Sequence, residues 1–272
     1  MAILELSGAS LYYEKKGHGP LLLLIPGANG DGDIFGPVSE HLSTHFTVVT
    51  YDRRGFSRSL LRGAQDYQNR LKTDADDAKS LIEHLADQPA TIFGNSSGAI
   101  VALTVLSLYP SIVRAVISHE APAIRLFPDG GAEWRSFFQH CYDTYRREGV
   151  APAMELFASR LAEGAEAAAM RQAMDPANGG HVPSNTMYWF ERELLDYTEV
   201  ELDLEELMKQ SSKLVLAYGV EIRPRSLYRP NVEVLADRLN LDVLELPGGH
   251  VGYVFYPEEF AQALAKKLKQ YM

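Results

Sequence analysis

The sequence predicts an α/β fold: a mostly parallel sheet flanked by helices and interrupted by a helical insertion. Three observations predict it. Short runs rich in Val, Ile and Leu recur through the front third of the chain and again after residue 210. Helical patterns separate those runs. The stretch between them, 122–210, has helical spacing and no convincing strand. Strands alternating with helices imply right-handed crossovers and parallel neighbours.

The elements follow in order. "LYYEKKGHGPLLLL" begins with alternation and a Gly-rich turn, which predicts an antiparallel hairpin at the start of the sheet. "LLLLIPG" (21–27), "FTVVTYD" (46–52), "ATIFG" (90–94) and "RAVISHE" (114–120) read as strands buried on both faces. Leu71, Ala75, Ala78, Ile82 and Leu85 recur at helical spacing, and the apolar run after Ser96 stops at Pro110. In the insertion, Trp134, Phe137, Phe138, Cys141 and Tyr145 share one helical face, and Met154, Phe157 and Leu161 another. "KLVLAYG" (213–219) resumes the strands, Val232, Leu235, Ala236 and Leu239 mark a helix, and "LDVLELPGGH" (241–250) is strand then loop. A last helix starts at Pro257, with Glu258 and Glu259 in its first turn and lysines at its end, as the helix dipole favours. The expected organisation is a core of residues 1–121 and 211–272 with a helical cap at 122–210.

Bulk properties narrow the partners. At 272 residues the chain can bury a full core and carry an inserted cap. A net charge of -10 disfavours nucleic acid and anionic membranes, which need basic patches. A lone cysteine, Cys141, permits no internal disulfide. The N-terminus lacks the pattern of a signal peptide, and "LLLLI" is too short to span a bilayer. The expectation is a cytoplasmic protein acting on a small-molecule substrate, as a monomer or a homodimer. No HExxH, CxxC or phosphate-binding glycine pattern is present, so no metal or cofactor is expected.

Chemistry concentrates at "GNSSGA". Gly94-Asn95-Ser96-Ser97-Gly98 fits G-x-S-x-G with Ser96 at its centre, between a strand and an apolar helix. Such a turn crowds the chain on both sides, so side chains at 94 and 98 would collide. It lifts the serine oxygen clear, over a helix N-terminus that favours developing negative charge. A serine nucleophile needs a base from elsewhere in the fold. His250 follows the last strand, in a loop over the carboxyl ends of the strands where sites of such sheets form. His18, His41, His45, His84, His140 and His181 lie in loops, at surface-like helix positions or in the cap, and nothing recommends them.

With these residues in place, the chain resembles the α/β-hydrolases, in their serine esterase and haloperoxidase-like branch. The resemblance spans nearly the whole chain: "LLLLIPGANGDGDIF", "VVTYDRRGFSRS", "GNSSGA" and "PGGHVGYVFYPEEF" in this order. It implies an eight-stranded sheet with the cap inserted after strand six. It also implies an oxyanion hole from the backbone N–H groups of Ala28 and Ser97. The family's acid normally follows strand seven, three residues after a glycine. Here that residue is Ile222, and Glu221 is one position early. Some relatives carry the acid at the end of strand six, where this chain has Glu120. Glu120 is favoured as the acid, with Glu221 the alternative. The plainer roles are an ion pair of Glu120 with Arg53 or Arg54, and a solvated charge at Glu221 beside Arg223 and Arg225. A serine at 96 argues against haloalkane dehalogenase or epoxide hydrolase chemistry, whose resembling members use aspartate there. The expected activity is hydrolysis of small to medium, mostly apolar carboxylic esters through an acyl-enzyme. The same site could serve C–C bonds, lactones, thioesters or perhydrolysis, and a non-catalytic ligand-binding relative is the remaining alternative. Tyr188, Trp189 and Phe190 of the cap are candidate substrate-binding residues, against the plainer role of packing the cap on the core.

Overall fold

A computed structural model describes residues 1–224 and 226–271; Arg225 lies outside the described residues. Among the described residues nine strands form one sheet: β1 (Ala2–Leu6), β2 (Ala9–Lys16), β3 (Leu21–Ile25), β4 (Thr47–Tyr51), β5 (Leu60–Leu61), β6 (Ala90–Asn95), β7 (Val113–His119), β8 (Leu214–Gly219) and β9 (Val243–Leu246). Eight run in the order β1-β2-β4-β3-β6-β7-β8-β9, and the two-residue β5 adds to β2. From β4 onward every neighbour is parallel. Every residue of β3, β6 and β8 is buried, which explains their unbroken apolar runs.

The antiparallel start differs from the expectation in its partners. The hairpin is β1 with β2, around Ser7-Gly8, and β2 then pairs with β4 rather than β3. The Gly-rich turn carries the chain across β4 instead. Gly17 has φ 83°, and a Cβ there would lie 2.3 Å from the Ser43 carbonyl oxygen.

Helices cover both faces: α1 (Gly36–Leu42), α2 (Arg70–Leu85) and α3 (Ser97–Leu108) in the front half. α3 is apolar nearly all round because it is buried on nearly every side, and it ends before Pro110 as read. The insertion holds α4 (Ala132–Glu148), α5 (Val150–Leu161), α6 (Gly164–Ala173), α7 (Val182–Arg192), α8 (Leu194–Thr198) and α9 (Leu204–Lys209). α10 (Tyr228–Leu239), α11 (Gly252–Phe255) and α12 (Pro257–Leu268) complete the chain. Phe137, Phe138, Phe157, Trp189 and Phe190 of the insertion pack in an apolar cluster that also takes in Phe56, Ile222, Leu227 and Tyr228 from outside it. α9 does not share it: Leu207 is buried against the sheet-side core, and α9 packs on α3 and α10. Among the described residues no helix is long and apolar enough to cross a membrane.

Candidate active site

Strand register brings the site together. Asn95 of β6 lies opposite His119 of β7, which lies opposite Ala217 of β8. Pairing continues one residue further: Ser96 N–H donates to the His119 carbonyl (2.9 Å) and Glu120 N–H to the Ala217 carbonyl (3.1 Å). Ser96 and Glu120 therefore stand side by side at the carboxyl ends of adjacent strands. Both have positive φ, 56° and 57°, a conformation non-glycine residues rarely adopt and one that clusters at functional sites.

The two glycines flanking Ser96 are needed for the reason the motif suggests. A Cβ on Gly94 would sit 2.3 Å from the Gly98 oxygen, and one on Gly98 would sit 2.2 Å from the Ile25 oxygen. Gly27 packs against Ser96 itself, with room for a Cβ only at 3.0 Å from both the Asn95 oxygen and Ser96 Cβ. Among the described residues, neither the Ala28 nor the Ser97 amide hydrogen has an acceptor in the chain. Both lie beside Ser96, where an oxyanion would form.

His250 Nδ1 lies 2.5 Å from Glu120 Oε2. Glu120 Oε1 accepts the Gly219 N–H at 2.8 Å, so both carboxylate oxygens are engaged. Burial alone would raise the Glu120 pKa; the imidazoles of His119 and His250 and the Gly219 amide outweigh it and hold it below the usual value. A carboxylate can only accept, so Nδ1 carries the proton and Nε2 is left as the basic nitrogen. Ser96 and His250 line the same cavity. The Ser96 hydroxyl makes no hydrogen bond to the imidazole; Ser96 instead lies against Tyr228, whose ring stacks on His250 at 3.9 Å and 14°.

Glu120 does not pair with the arginines. Arg53 binds Asp74 and Glu193, and Arg54 binds Asp77. Glu221 is exposed and lines neither space beside Ser96; its own N–H donates to the Gly248 carbonyl. Ile222, at the family's usual acid position, is buried in the cap's apolar cluster.

A cavity of about 200 Å³ opens over Ser96. Met154, Phe157, Met170, Met174 and Val254 give it an apolar wall, with Asn29 and Asp31 as polar members. A smaller space of about 30 Å³ lies on the other side of Ser96, between Trp189, Phe138 and Leu227. The three cap aromatics thus divide. Trp189 lines the small space. Tyr188 lines neither: its ring lies over the Arg70 guanidinium and against Phe56. Phe190 stacks on Tyr145 inside the cap at 4.4 Å. Helical spacing put all three on one stretch, but packing sends their side chains in different directions. Among the described residues, no group of three or more His, Cys, Asp or Glu side chains could hold a metal.

Several residues of the site escape a sequence reading. Tyr228 opens α10 with no motif around it. Glu166 of α6 reaches across from the cap to accept the N–H groups of His250 and Val251, each at 3.1 Å, and a Cβ on Gly249 would lie 2.2 Å from its Oε2. His119, directly before Glu120, is fully buried behind the pair. Its Nδ1 is 2.6 Å from Asn95 Oδ1, and its Nε2 has no hydrogen-bond partner.

Burial lowers the His119 pKa to about 4. In acid the unfolded chain takes up a proton that the folded chain refuses. Stability is therefore intact above about pH 6.5 and falls as pH drops toward 4, by about 3 kcal/mol from this residue. Urea midpoints at pH 7 and 4.5 are expected to differ markedly less in His119→Gln than in the wild type. An unchanged difference would assign the acid sensitivity elsewhere.

Comparison with known proteins agrees with this fold. A model of the alpha/beta hydrolase fold family matches residues 20–168. An uncharacterized hydrolase, YraK of Bacillus subtilis (strain 168), is 32% identical over 98% of this chain and 95% of its own. A zearalenone hydrolase of Cladophialophora bantiana is 28% identical over 99% of this chain and 97% of its own. A thermophilic esterase from Thermogutta terrifontis superposes with a TM-score of 0.78 over 100% of this chain and 99% of its own, at 19% identity.

Proposed function

Because the chain belongs to the α/β-hydrolase family and is a hydrolase of that fold, we propose that it cleaves carboxylic esters through an acyl-enzyme on Ser96. One observation carries the reading: Ser96 held at φ 56° on a strand-to-helix turn, sharing a cavity with a histidine whose Nδ1 is bonded to Glu120. Ser96 Oγ attacks the ester carbonyl while its proton passes to His250 Nε2. Negative charge builds on the carbonyl oxygen and is met by the N–H groups of Ala28 and Ser97. Losing one such donor costs about 3–4 kcal/mol of transition-state stabilisation. The imidazolium, steadied by Glu120, then protonates the leaving alcohol. Water, deprotonated by His250, attacks the acyl-enzyme and frees the acid.

The cavity supports mostly apolar substrates of small to medium size. Its three methionines, Met154, Met170 and Met174, can adapt to irregular shapes. Cyclic esters are the second reading, since lactone opening needs no further group. The relative named a zearalenone hydrolase keeps one defined substrate in the test panel.

The test is intact-protein mass after exposure to a fluorophosphonate, with hydrolysis of p-nitrophenyl esters and lactones in parallel. One adduct per chain and turnover of at least one panel member are expected. A folded protein that takes no adduct and turns over nothing would be a ligand-binding relative instead.

A further inference from the structure

We propose that Arg53 is the positioning residue of the oxyanion hole, and that Glu193 makes its placement depend on a seated cap. The proposal rests on the reading of Ser96 and Ala28 given above.

The Gly27–Ala28 peptide carries the Ala28 N–H of the oxyanion hole. Gly27 is pressed against Ser96 and can carry no side chain without displacing it. A glycine has no Cβ with which to hold its own peptide plane, so that plane needs an external anchor. Its carbonyl oxygen has two: the Gly30 N–H at 2.9 Å and the Arg53 guanidinium at 2.7 Å. Arg53 also donates its backbone N–H to the Gly30 carbonyl at 2.8 Å, so the loop closes on this residue at both ends. A trans peptide is planar, with its C=O and N–H opposed. Fixing the Gly27 oxygen toward Arg53 therefore fixes the Ala28 N–H the other way, away from Arg53.

Arg53 is itself held. It is fully buried, with its guanidinium 4.8 Å from the centre of the Phe56 ring. Asp74 of α2 binds one terminal nitrogen at 3.0 Å. Glu193, at the α7–α8 junction of the cap, binds both, at 2.8 and 2.7 Å. Glu193 also meets Arg70 at 3.3 Å, so two arginines face two carboxylates and the cluster is neutral. Were the cap to lift, one carboxylate would leave and two buried arginines would share Asp74. The fork that anchors Gly27 is complete only with the cap down. Glu193 also lines the small space beside Ser96, so cap closure and the oxyanion donor meet at one point.

The experiment compares the wild type with Glu193→Gln, Arg53→Lys and Arg53→Met. It uses a p-nitrophenyl ester and two inhibitors. Phenylboronic acid bonds to the serine oxygen as that oxygen gives up its proton, forming a tetrahedral anion that needs the oxyanion hole. Benzyl alcohol occupies the apolar cavity without reacting. Glu193→Gln is expected to lower kcat about tenfold and to weaken the boronate by a similar factor, with KM and benzyl alcohol affinity within about twofold. Arg53→Lys is expected to retain more activity than Arg53→Met. An unchanged kcat in Glu193→Gln, or parallel weakening of both inhibitors, overturns the proposal and marks the cluster as structural. Should the Arg53 variants not fold, Glu193→Gln alone decides. A wild type that neither hydrolyses ester nor takes the fluorophosphonate overturns the reading of Ser96, and this proposal with it.

Discussion

Ser96→Ala is expected to lower kcat/KM for an ester by on the order of 10⁶-fold, since nucleophile and base act as one unit. Residual turnover on the order of 10³ over water would come from the oxyanion donors and binding. Fluorophosphonate labelling is expected to vanish. The fold should persist, because Ser96 contributes its backbone N–H to β7 and no side-chain cap to α3. Its backbone, at φ 56° and ψ -124°, is strained for any residue with a Cβ. Alanine keeps that strain, whereas Ser96→Gly relieves it. Ser96→Gly should therefore be as inactive as Ser96→Ala yet more stable by about 1 kcal/mol, or about 2–4 °C in Tm. Thermal melts of the two variants side by side check this. Equal Tm values would mean that the turn stores no strain, and retained turnover in either variant would remove Ser96 from the chemistry.

What could be read in the sequence was what short-range sterics and strand ends dictate. The Gly94 and Gly98 collisions are local, so the pentapeptide carried them. The loop bearing His250 was placed by the strand before it and the helix after it. Glu120 was a candidate through the resemblance, since some relatives carry the acid at this strand end and Ile222 holds the usual position; β7 ends one residue before it. The residues that escaped depend on contacts far apart along the chain. Arg53 and Glu193 are 140 positions apart, Glu166 and His250 84, and no spacing rule links either pair. The same limit explains the opening hairpin. A Gly-rich turn says that the chain reverses, but not that β3 goes on to lie between β4 and β6. Tyr188, Trp189 and Phe190 share a helix, yet only the docking of the cap settles which of them faces the space beside Ser96.

The proposed acid is the member of the site that the sequence left open between two glutamates, and the geometry makes their variants diverge. Glu120→Gln is expected to lower kcat by about 10⁴-fold, and Glu221→Gln to leave it within about twofold. Glutamine has nearly the shape of glutamate, and its carbonyl oxygen can still accept the Gly219 N–H, so β8 keeps its partner. Its amide nitrogen then faces His250 Nδ1 and donates to it. That forces the proton onto Nε2, the nitrogen that must take the Ser96 proton, and removes the charge that steadies the imidazolium. Glu221 has no such leverage: it is exposed, and its anchor to the loop is its backbone N–H, which glutamine keeps. Ester kinetics on the two variants, with Tm as a check on folding, separate the alternatives. Mild and equal losses from both would show that neither orients His250. A large loss from Glu221→Gln alone would move the acid back toward the end of β8, where relatives of the usual pattern carry it.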